Sequence, residues 1–355
     1  MAEEGLGFPK ARSAFQLLPE QTFTVENCFL CGIELNKVNR TREHVFPKWL
    51  IRLAELDAQT LTLLNRTTIP YSQLTIPCCS ECNGVHLSAV EIRIKQAFLS
   101  GAEAVAALDQ VDLFIWLAKL HYGLQFRNLS LIADQASVGS EPILTPEILS
   151  EFRFQHFLLQ AARGAAVWPP EQFPASIFIF ASQIPSNPRL RFDYRDALYF
   201  PFVSVRIGGV VVLASLQDWG AMKSQNIPMF NAAAQLELHP IQYRQLHAMG
   251  VYMASLFNHV PKHVIVGDEP ATVITMPFQD SAHVPLFREF EVKSYAAALA
   301  DALGQQIDEI FDGVRVVDLV GRDDSPVVVP AAPDEWVTAR LVSENVNKVA
   351  DSAVE

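Results

Sequence analysis

The sequence predicts an α+β fold, with a small N-terminal module and a larger mixed α+β C-terminal domain. All five cysteines lie between Cys28 and Cys82, so the N-terminal part differs in composition from the rest of the chain. Beyond it, segments with helical spacing of apolar residues alternate with short strand-like segments bounded by Pro, Asn and Gly. A length of 355 residues is enough for about two domains, and a content of 50% hydrophobic residues excludes a largely disordered chain.

The composition divides the chain into four parts. Residues 1–24 are a polar, proline-containing lead-in, and residues 25–100 form the cysteine-containing module, which also holds the densest basic stretch. Residues 101–320 form the larger α+β domain, which contains no motif that assigns it a role. Residues 321–355 are rich in Pro, Ala, Val and acidic side chains, so we expect an acidic and partly disordered tail.

Within the larger domain, periodicity and helix caps place the main elements. Apolar residues at helical spacing predict a helix over about 102–122. A second helix begins at the N-cap Thr145, with Pro146 in its first turn, and ends at Gly164. Residues 166–216 contain strands separated by turn residues. The remaining elements that we expect are a helix near 240–257, strands at 263–266 and 272–276, and a helix near 294–311.

The net charge of −12 and the isoelectric point near 5.2 count against a nucleic-acid-binding protein, because such proteins usually carry a basic face. The charge is unevenly distributed, however. Residues 1–100 contain ten Lys/Arg and ten Asp/Glu, whereas residues 301–355 contain four Lys/Arg and twelve Asp/Glu, a net charge of 4 − 12 = −8. The acid is therefore concentrated near the C-terminus, and the cysteine-containing module is neutral.

No apolar run reaches the roughly 18 residues that a membrane-spanning helix needs, so we expect no membrane partner. The N-terminus starts Met-Ala-Glu-Glu, with acidic residues where a secretory signal would be basic and then apolar. We therefore expect a soluble, cytoplasmic protein. In such a protein, clustered cysteines indicate metal binding or catalysis rather than a disulfide scaffold.

The cysteines form two Cys-x-x-Cys pairs, Cys28–Cys31 and Cys79–Cys82. Each pair can lie on a tight turn that presents two thiolates to one ion, and four thiolates complete the tetrahedral coordination of a structural Zn²⁺. The 47 residues between the pairs exceed the roughly 15–20 of a simple zinc ribbon, so further structure is inserted between them. Cys78 could replace Cys79 only with a wider spacing, so we interpret it as a spare thiol.

The inserted segment contains Glu43 and His44, within the sequence TREHVFPKWL, and Asn83 directly follows the second cysteine pair. Glu and Asn offer oxygen atoms, which suit Mg²⁺ and suit zinc poorly, and a neutral His can accept a proton near neutral pH. Adjacent residues of a regular strand face opposite sides. Glu43 and His44 can therefore share a site only if the strand bends or ends there, and Pro47 fits an early end.

The order CxxC, EHVFPKWL and PCCSECN resembles that of the HNH endonucleases of the ββα-metal type, in the subgroup stabilised by a four-cysteine zinc. The resemblance covers roughly residues 25–95. It implies that two strands and a helix hold one catalytic Mg²⁺ or Mn²⁺, with Glu43 and Asn83 as ligands and His44 as the general base that activates water. The implied function is metal-dependent hydrolysis of phosphodiester bonds, with DNA as the expected substrate.

Two positions of this motif have alternatives. His86 lies three residues after Asn83, on the same helical face, and could replace or join it at the catalytic metal; Glu91 is a remoter candidate. The middle Asn of the family, which braces the loop that carries the base, has no certain match here. Gln73 is nearest in position, and Asn65 is the alternative.

Basic residues surround the Glu-His pair in the sequence, namely Lys37, Arg40, Arg42, Lys48 and Arg52. We expect Arg40, Arg42 and Lys48 to contact phosphate groups, which would position nucleic acid without reading its sequence. The alternative interpretation is that these basic side chains form an ordinary solvent-exposed surface without a ligand. Trp49 is interpreted as a core anchor of the helix that follows, rather than as a platform for base stacking. The acidic tail is hypothesised to cover this basic face until a partner or DNA displaces it.

These observations leave three hypotheses for the function. The first is an HNH endonuclease whose second domain supplies substrate choice, oligomerisation or contact with a regulatory protein, in a restriction, mobile-element or antiviral (anti-phage) defence setting. The second is a catalytically inactive zinc-containing protein that binds nucleic acid or a protein partner, with its role carried by the second domain. The third is a structural zinc protein without a nucleic-acid partner. The other histidines show no ligand spacing and are interpreted as structural: His121, His156, His239, His247, His259, His263 and His283.

Overall fold

The computed structural model has a mixed α+β architecture, as the sequence predicts. It describes residues 24–62, 68–129, 131, 144–145, 148–149, 151–197, 200–258, 262–267, 270–275, 285–321 and 333–334. The N-terminal lead-in, Asn65, His259, His283 and almost all of the acidic tail lie outside these residues. Among the helices that are described, none is long and apolar enough to cross a membrane.

The cysteine-containing module is built on two antiparallel strands and a helix. Its elements in chain order are β1 (Arg40–His44), α1 (Lys48–Leu53), β2 (Thr60–Thr62), β3 (Thr68–Pro70), β4 (Thr75–Cys79) and α2 (Ser88–Ser100). β1 pairs with β4, and the inserted β2 pairs with β3. The chain leaves β4 through a π-helical turn, Cys82–Leu87, that leads directly into α2. The module therefore has a strand–strand–helix arrangement with an insertion between its strands.

The helix expected over residues 102–122 is instead two helices, α3 (Ala102–Ala106) and α4 (Gln110–Asn128). The sequence interpretation was wrong on this point because Asp109 begins a new helix. Its side chain accepts a hydrogen bond from the backbone N–H of Val111 at 2.9 Å. Because α4 is largely apolar on all sides, it is buried along almost its whole length and lies at the centre of the first core.

α4 lies close against the β1–β4 pair. A Cβ atom on Gly123 would come within 3.2 Å of the Ile76 side chain and 3.4 Å of the Val45 side chain, so glycine allows the helix to approach this closely. Lys119 lies one turn earlier on the same face of α4. The close approach at Gly123 therefore brings Lys119 against the end of β1, where the Glu-His pair lies.

The larger region contains a five-stranded sheet, a three-stranded sheet and further helices. In chain order its elements are α5 (Arg153–Leu159), β5 (Ala166–Val167), β6 (Ser176–Ser182), β7 (Phe192–Ala197), β8 (Phe202–Ile207), β9 (Val210–Ser215), α6 (Ala221–Ser224), α7 (Pro228–Ala233), β10 (Glu237–Leu238), α8 (Pro240–Ser255), β11 (His263–Val266), β12 (Ala271–Thr275) and α9 (Val292–Leu303). The larger sheet has the order β10-β6-β9-β8-β7, in which the β10–β6 pair is parallel and the other pairs are antiparallel. The smaller sheet has the order β11-β12-β5.

Helix ends in this region follow their local signals. The hydroxyl of Thr145 accepts a hydrogen bond from the N–H of Ile148 at 3.4 Å, as an N-cap does, and Gly164 ends the helical segment at φ 66°. The prediction of one continuous helix between these two residues is wrong, because Glu151 and Phe152 form a turn and α5 begins after it at Arg153. The last helix is shorter than expected. It stops at Leu303 because Gly304 adopts the left-handed conformation at φ 68° and caps it.

Two apolar cores hold these elements together. The first contains residues of the module, of α4, of α5 and of β7–β9, so the module packs on the rest of the protein through continuous buried surface. The second contains residues of α8 and α9 together with others from the large sheet. Trp49 packs against the first core, with its ring centroid 6.5 Å from that of Phe98, as a core anchor should.

Candidate functional site

Four thiols of the module come together at one point. The Sγ atoms of Cys28, Cys31, Cys79 and Cys82 all lie within 4.8 Å of one another. This arrangement is compatible with the tetrahedral coordination of one zinc ion. Since four thiolates complete that coordination and leave no position for a substrate, the arrangement fits a structural zinc rather than a catalytic one.

Local backbone geometry explains how each pair presents its thiols. After Cys31, Gly32 adopts the left-handed conformation at φ 71°, and its N–H donates to the carbonyl oxygen of Cys28 at 2.9 Å, which closes the first turn. In the second pair, the N–H of Cys82 donates to the Sγ of Cys79 at 3.4 Å. This contact closes the second turn.

Two buried side chains of the larger region support the first cysteine turn. His156 Nε2, on α5, lies 3.0 Å from the carbonyl oxygens of both Phe29 and Leu30, and Gln160 Nε2 donates to the Leu30 carbonyl at 2.6 Å. Because both acceptors are carbonyl oxygens, the network assigns a proton to Nε2 of His156. Burial lowers the pKa of His156 to about 4, so it is neutral at physiological pH, in keeping with its structural interpretation.

Cys78 is not part of the four-thiol cluster, although its Sγ lies 3.8 Å from that of Cys28. Cys78 is opposite Thr41 and Cys79 is opposite Arg40 in the strand pairing, so the two neighbouring cysteines face opposite sides of β4. Cys79 therefore joins the cluster, whereas Cys78 is fully buried outside it. This position agrees with the interpretation of Cys78 as a spare thiol.

The carboxylate of Glu43 is buried and bound to an ammonium group that comes from α4. Lys119 Nζ lies 2.5 Å from Glu43 Oε1 and 2.8 Å from Glu91 Oε1. It also donates to the backbone carbonyl oxygens of His44, at 2.7 Å, and of Val45, at 3.2 Å. Three oxygen atoms from residues 43–45 and one from α2 therefore surround one buried cation at the end of β1.

These charged groups are electrostatically coupled. Burial raises the pKa of Glu43, and the positive charge of Lys119 opposes that shift. Burial alone would lower the pKa of Lys119, but the carboxylates of Glu43 and Glu91 outweigh it and raise that pKa above its ordinary value. Lys119 therefore stays protonated at physiological pH, and its single positive charge faces both carboxylates.

His44 is the last residue of β1, which ends before Pro47 as the sequence predicts. Strand alternation directs the Glu43 side chain inward and the half-buried His44 side chain to the other face. Burial, together with the positive charges of Lys48 and Lys119, lowers the pKa of His44. The imidazole is therefore mostly neutral near pH 7, and a neutral imidazole can accept a proton.

Asn83 lies at the start of the π-helical turn and contacts β1. Its Nδ2 donates to Thr41 Oγ1 at 3.1 Å and to the Arg42 carbonyl oxygen at 3.2 Å. These hydrogen bonds fasten the beginning of the helix to the first strand. Asn83, Glu43 and His44 thus lie on one strand–helix unit. Their side chains have different surroundings, however: Asn83 bonds to β1, Glu43 bonds to Lys119, and His44 lies on the other face of the strand.

The alternative site residues are distributed around this unit. His86 is half-buried on the π-helical turn, and Gln73 is exposed directly before β4. Glu91, the remoter candidate, is the one that reaches the cation beside Glu43. In the part of the chain that the structure describes, the four cysteines are the one group of at least three His, Cys, Asp or Glu ligand atoms within 4.8 Å of one another.

A groove of about 820 Å³ runs along β1 and β4. The cationic residues that line it are Lys37, Arg40, Arg42 and Arg127, and no acidic residue is found among its described lining. Thr75, which is opposite His44 in the strand pairing, also lines the groove. Lys48 and Arg52 lie instead on α1. Arg127, in the last turn of α4, was missed by sequence reasoning because it is distant in sequence from the other cations.

The positive charge of the groove is partly offset by its surroundings. Arg40 forms an ion pair with Glu26, and both side chains are exposed. Burial, followed by the positive charge of Arg42, lowers the pKa of Arg127, although an arginine keeps its charge at any physiological pH. With four cations and one neighbouring acid, the groove favours an anionic ligand.

The catalytic Mg²⁺ or Mn²⁺ implied by the family resemblance does not fit the described residues. The Glu43 carboxylate is bound at 2.5 Å to the ammonium of Lys119, and a divalent cation at this carboxylate would be strongly repelled by that charge. The side-chain amide of Asn83 is hydrogen-bonded to β1. These bonds use the Nδ2 atom of Asn83 and not the amide oxygen that a metal ion would need, so the misfit rests on Glu43, whose carboxylate already binds the ammonium of Lys119.

Comparison with family profiles, with curated proteins and with solved structures finds no match to this chain. The described geometry alone defines the class of protein: an α+β protein whose strand–strand–helix module carries a four-cysteine cluster, compatible with zinc, beside a basic groove.

Proposed function

We propose that the chain is a zinc-stabilised nuclease of the HNH type that hydrolyses phosphodiester bonds in nucleic acid, with DNA as the expected substrate. The observation that carries the proposal is the strand–strand–helix unit. His44 ends its first strand, and its second strand leads through the Cys79–Cys82 pair into the helical turn that contains Asn83. This is the order of elements that the resemblance in the sequence implies.

The basic groove supports nucleic acid as the ligand. Arg40, Arg42 and His44 alternate along β1 and so face the same side of the strand. His44 does not itself line the groove, but its strand partner Thr75 does, so phosphate groups held by the two arginines would lie next to the end of β1 that carries the imidazole. Contacts of this kind do not distinguish sequences, so the groove positions the substrate and leaves sequence choice to other parts of the chain.

The reaction assigned to these residues is attack of water on a phosphodiester. The neutral His44 imidazole accepts a proton from the attacking water, whose oxygen bonds to phosphorus as the bond to the leaving sugar oxygen breaks; that oxygen takes up a proton from solvent. The guanidinium groups of Arg40 and Arg42 hold the phosphate and offset the negative charge that builds on it in the transition state. Glu43 does not touch the substrate in this scheme; through Lys119 it fixes the end of the strand that carries His44.

A second candidate is a module that binds nucleic acid without cleaving it. One observation favours it: the Glu43 carboxylate, which the resemblance would assign to catalysis, is buried against Lys119. In both cases the larger region is proposed to supply substrate choice, oligomerisation or contact with a regulatory partner. A restriction, mobile-element or anti-phage setting remains part of the proposal.

Binding and cleavage of labelled oligonucleotides separate the two candidates. Single-stranded DNA, double-stranded DNA and RNA of equal length are tested with the full chain, with His44→Ala and with His263→Ala. His263 is also a half-buried histidine but lies on β11, away from the strand that carries the groove arginines, so it serves as the matched control. Cleavage lost in His44→Ala alone, with binding retained, supports the nuclease. Binding without cleavage by any protein supports the second candidate, and no binding contradicts both.

A further inference from the structure

The end of β1, α2 and α4 together build an oxygen-lined cation site. The carboxylates of Glu43 and Glu91 converge on one atom, Lys119 Nζ, at 2.5 and 2.8 Å. The carbonyl oxygens of His44 and Val45 complete the surroundings at 2.7 and 3.2 Å. Carboxylate and carbonyl oxygens are the donors that Mg²⁺, Mn²⁺ and Ca²⁺ prefer, so the chemistry of the walls is that of a divalent site.

The cation in this site is the ammonium group of Lys119, a side chain of the protein itself. Lys119 is 1% exposed, and the packing of Gly123 against Ile76 and Val45 holds α4 at a fixed, close distance from the strands. The ammonium cannot withdraw toward solvent without moving the central helix of the first core. A lysine in this position is therefore a constant part of the site rather than an exchangeable surface group.

We infer that Lys119 is the resident cation of the Glu43–Glu91 site and that the site takes no divalent ion while Lys119 is in place. The inference concerns the site of the proposed function and departs from the metal dependence that the family resemblance implies. Its physical basis is charge: a divalent ion would have to lie within a few ångströms of a buried ammonium, and their repulsion is large in a poorly solvated environment. Removing the ammonium should expose two carboxylates and create a divalent site.

The test measures Mn²⁺ binding to the zinc-loaded full chain by electron paramagnetic resonance, with Mn²⁺ alone as the probe. The signal specific to the site is the difference between a protein and the same protein with Glu43→Gln, because surface carboxylates contribute equally to both. The wild type should show no such difference. Lys119→Met should show Glu43-dependent Mn²⁺ binding at least about a hundredfold tighter than the wild type, since a unit charge beside the ion has been removed.

Each outcome decides the inference. Glu43-dependent Mn²⁺ binding by the wild type would overturn it, and so would a folded Lys119→Met protein that binds no Mn²⁺ at Glu43. Should Lys119→Met not fold, the wild type and Glu43→Gln still give the answer, because equal Mn²⁺ binding by these two supports the resident lysine. The measurement of Mn²⁺ binding needs no substrate. An absence of nucleic-acid cleavage would therefore contradict the proposed function but not this inference.

Discussion

The Nζ atom of Lys119 lies 2.5 Å from Oε1 of Glu43 and joins the middle of α4 to the end of β1. Glu91 on α2 binds the same ammonium. The strand β1 and the helix α2 of the module therefore meet at the side chain of Lys119, which lies outside the module. The position of His44 therefore depends on the larger region as well as on the zinc cluster, because Lys119 also bonds to the His44 carbonyl oxygen.

Replacing Lys119 by Met should lower the free energy of unfolding by about 3–5 kcal/mol, because it leaves the Glu43 carboxylate buried without a counter-ion. Adding Glu43→Gln should recover part of this loss, since a neutral amide needs no counter-ion. Urea unfolding followed by circular dichroism measures both. Lys95→Met, on the exposed face of α2, is the control and should change the stability by less than about 0.5 kcal/mol. A Lys119→Met protein as stable as this control would show that the pair does not hold the module.

Changing a cysteine of the cluster should remove the zinc, whereas changing its neighbour should not. Elemental analysis of the purified protein should find about one zinc per chain, as a four-thiolate site requires. Cys82→Ala should lose it and unfold at a lower temperature, while Cys78→Ala should keep it, because Cys78 lies outside the cluster. Equal zinc content in the two variants, or no zinc in the wild type, would contradict the assignment.

The rate of nucleic-acid cleavage should fall on the acid side as His44 becomes protonated. Burial and the charges of Lys48 and Lys119 lower the pKa of His44, so the midpoint of this fall should lie below about pH 6.5, the ordinary value for histidine. Lys48→Gln removes one of these charges, which should raise the pKa of His44 and move the midpoint to higher pH. Lys95→Gln removes an equal charge from α2 and should leave the midpoint in place. A profile that moves equally in both variants would mean that His44 is not the group that titrates.

Groove arginines should contribute to nucleic-acid affinity, and their effect should depend on salt. Arg42→Gln and Arg127→Gln should each weaken binding and reduce the slope of log affinity against log salt by about one, the signature of a lost phosphate contact. Arg52→Gln is the matched control, because Arg52 is close to Arg42 in sequence but lies on α1 outside the groove lining. Fluorescence anisotropy over a salt series provides the measurement. Equal losses in the Arg52 and Arg127 variants would show that binding does not follow the groove.

The parts of the site with local signals could be predicted from the sequence. The Cys-x-x-Cys spacing alone predicted the four thiols that cluster, because a tight turn brings two residues three apart to the same point. The end of β1 before Pro47 followed from the restrictions that proline places on a strand. Helix ends at Gly164 and at the N-cap Thr145 have similar short-range causes.

Tertiary contacts could not be predicted in this way. Lys119 reaches Glu43, and Arg127 reaches the groove, because α4 packs against the strands at Gly123, and no local pattern encodes that approach. A weak signal did exist, since Lys119 is the one charged residue within the otherwise uncharged stretch Leu113–Phe126 of a helix with a largely apolar surface. A lone charged side chain in such a buried helix is expected to pair with a buried partner, but the sequence does not identify that partner.

Whether His44 acts as the base of a nuclease is measured by the rate of plasmid cleavage. Supercoiled plasmid is incubated with zinc-loaded wild type, His44→Ala and His263→Ala, each checked for equal zinc content and equal unfolding temperature. We expect cleavage by the wild type and by His263→Ala, and a rate at least about a hundredfold lower for His44→Ala, because a general base has been removed. Equal cleavage by all three proteins, or no cleavage of DNA or RNA by the wild type, would contradict this role of His44.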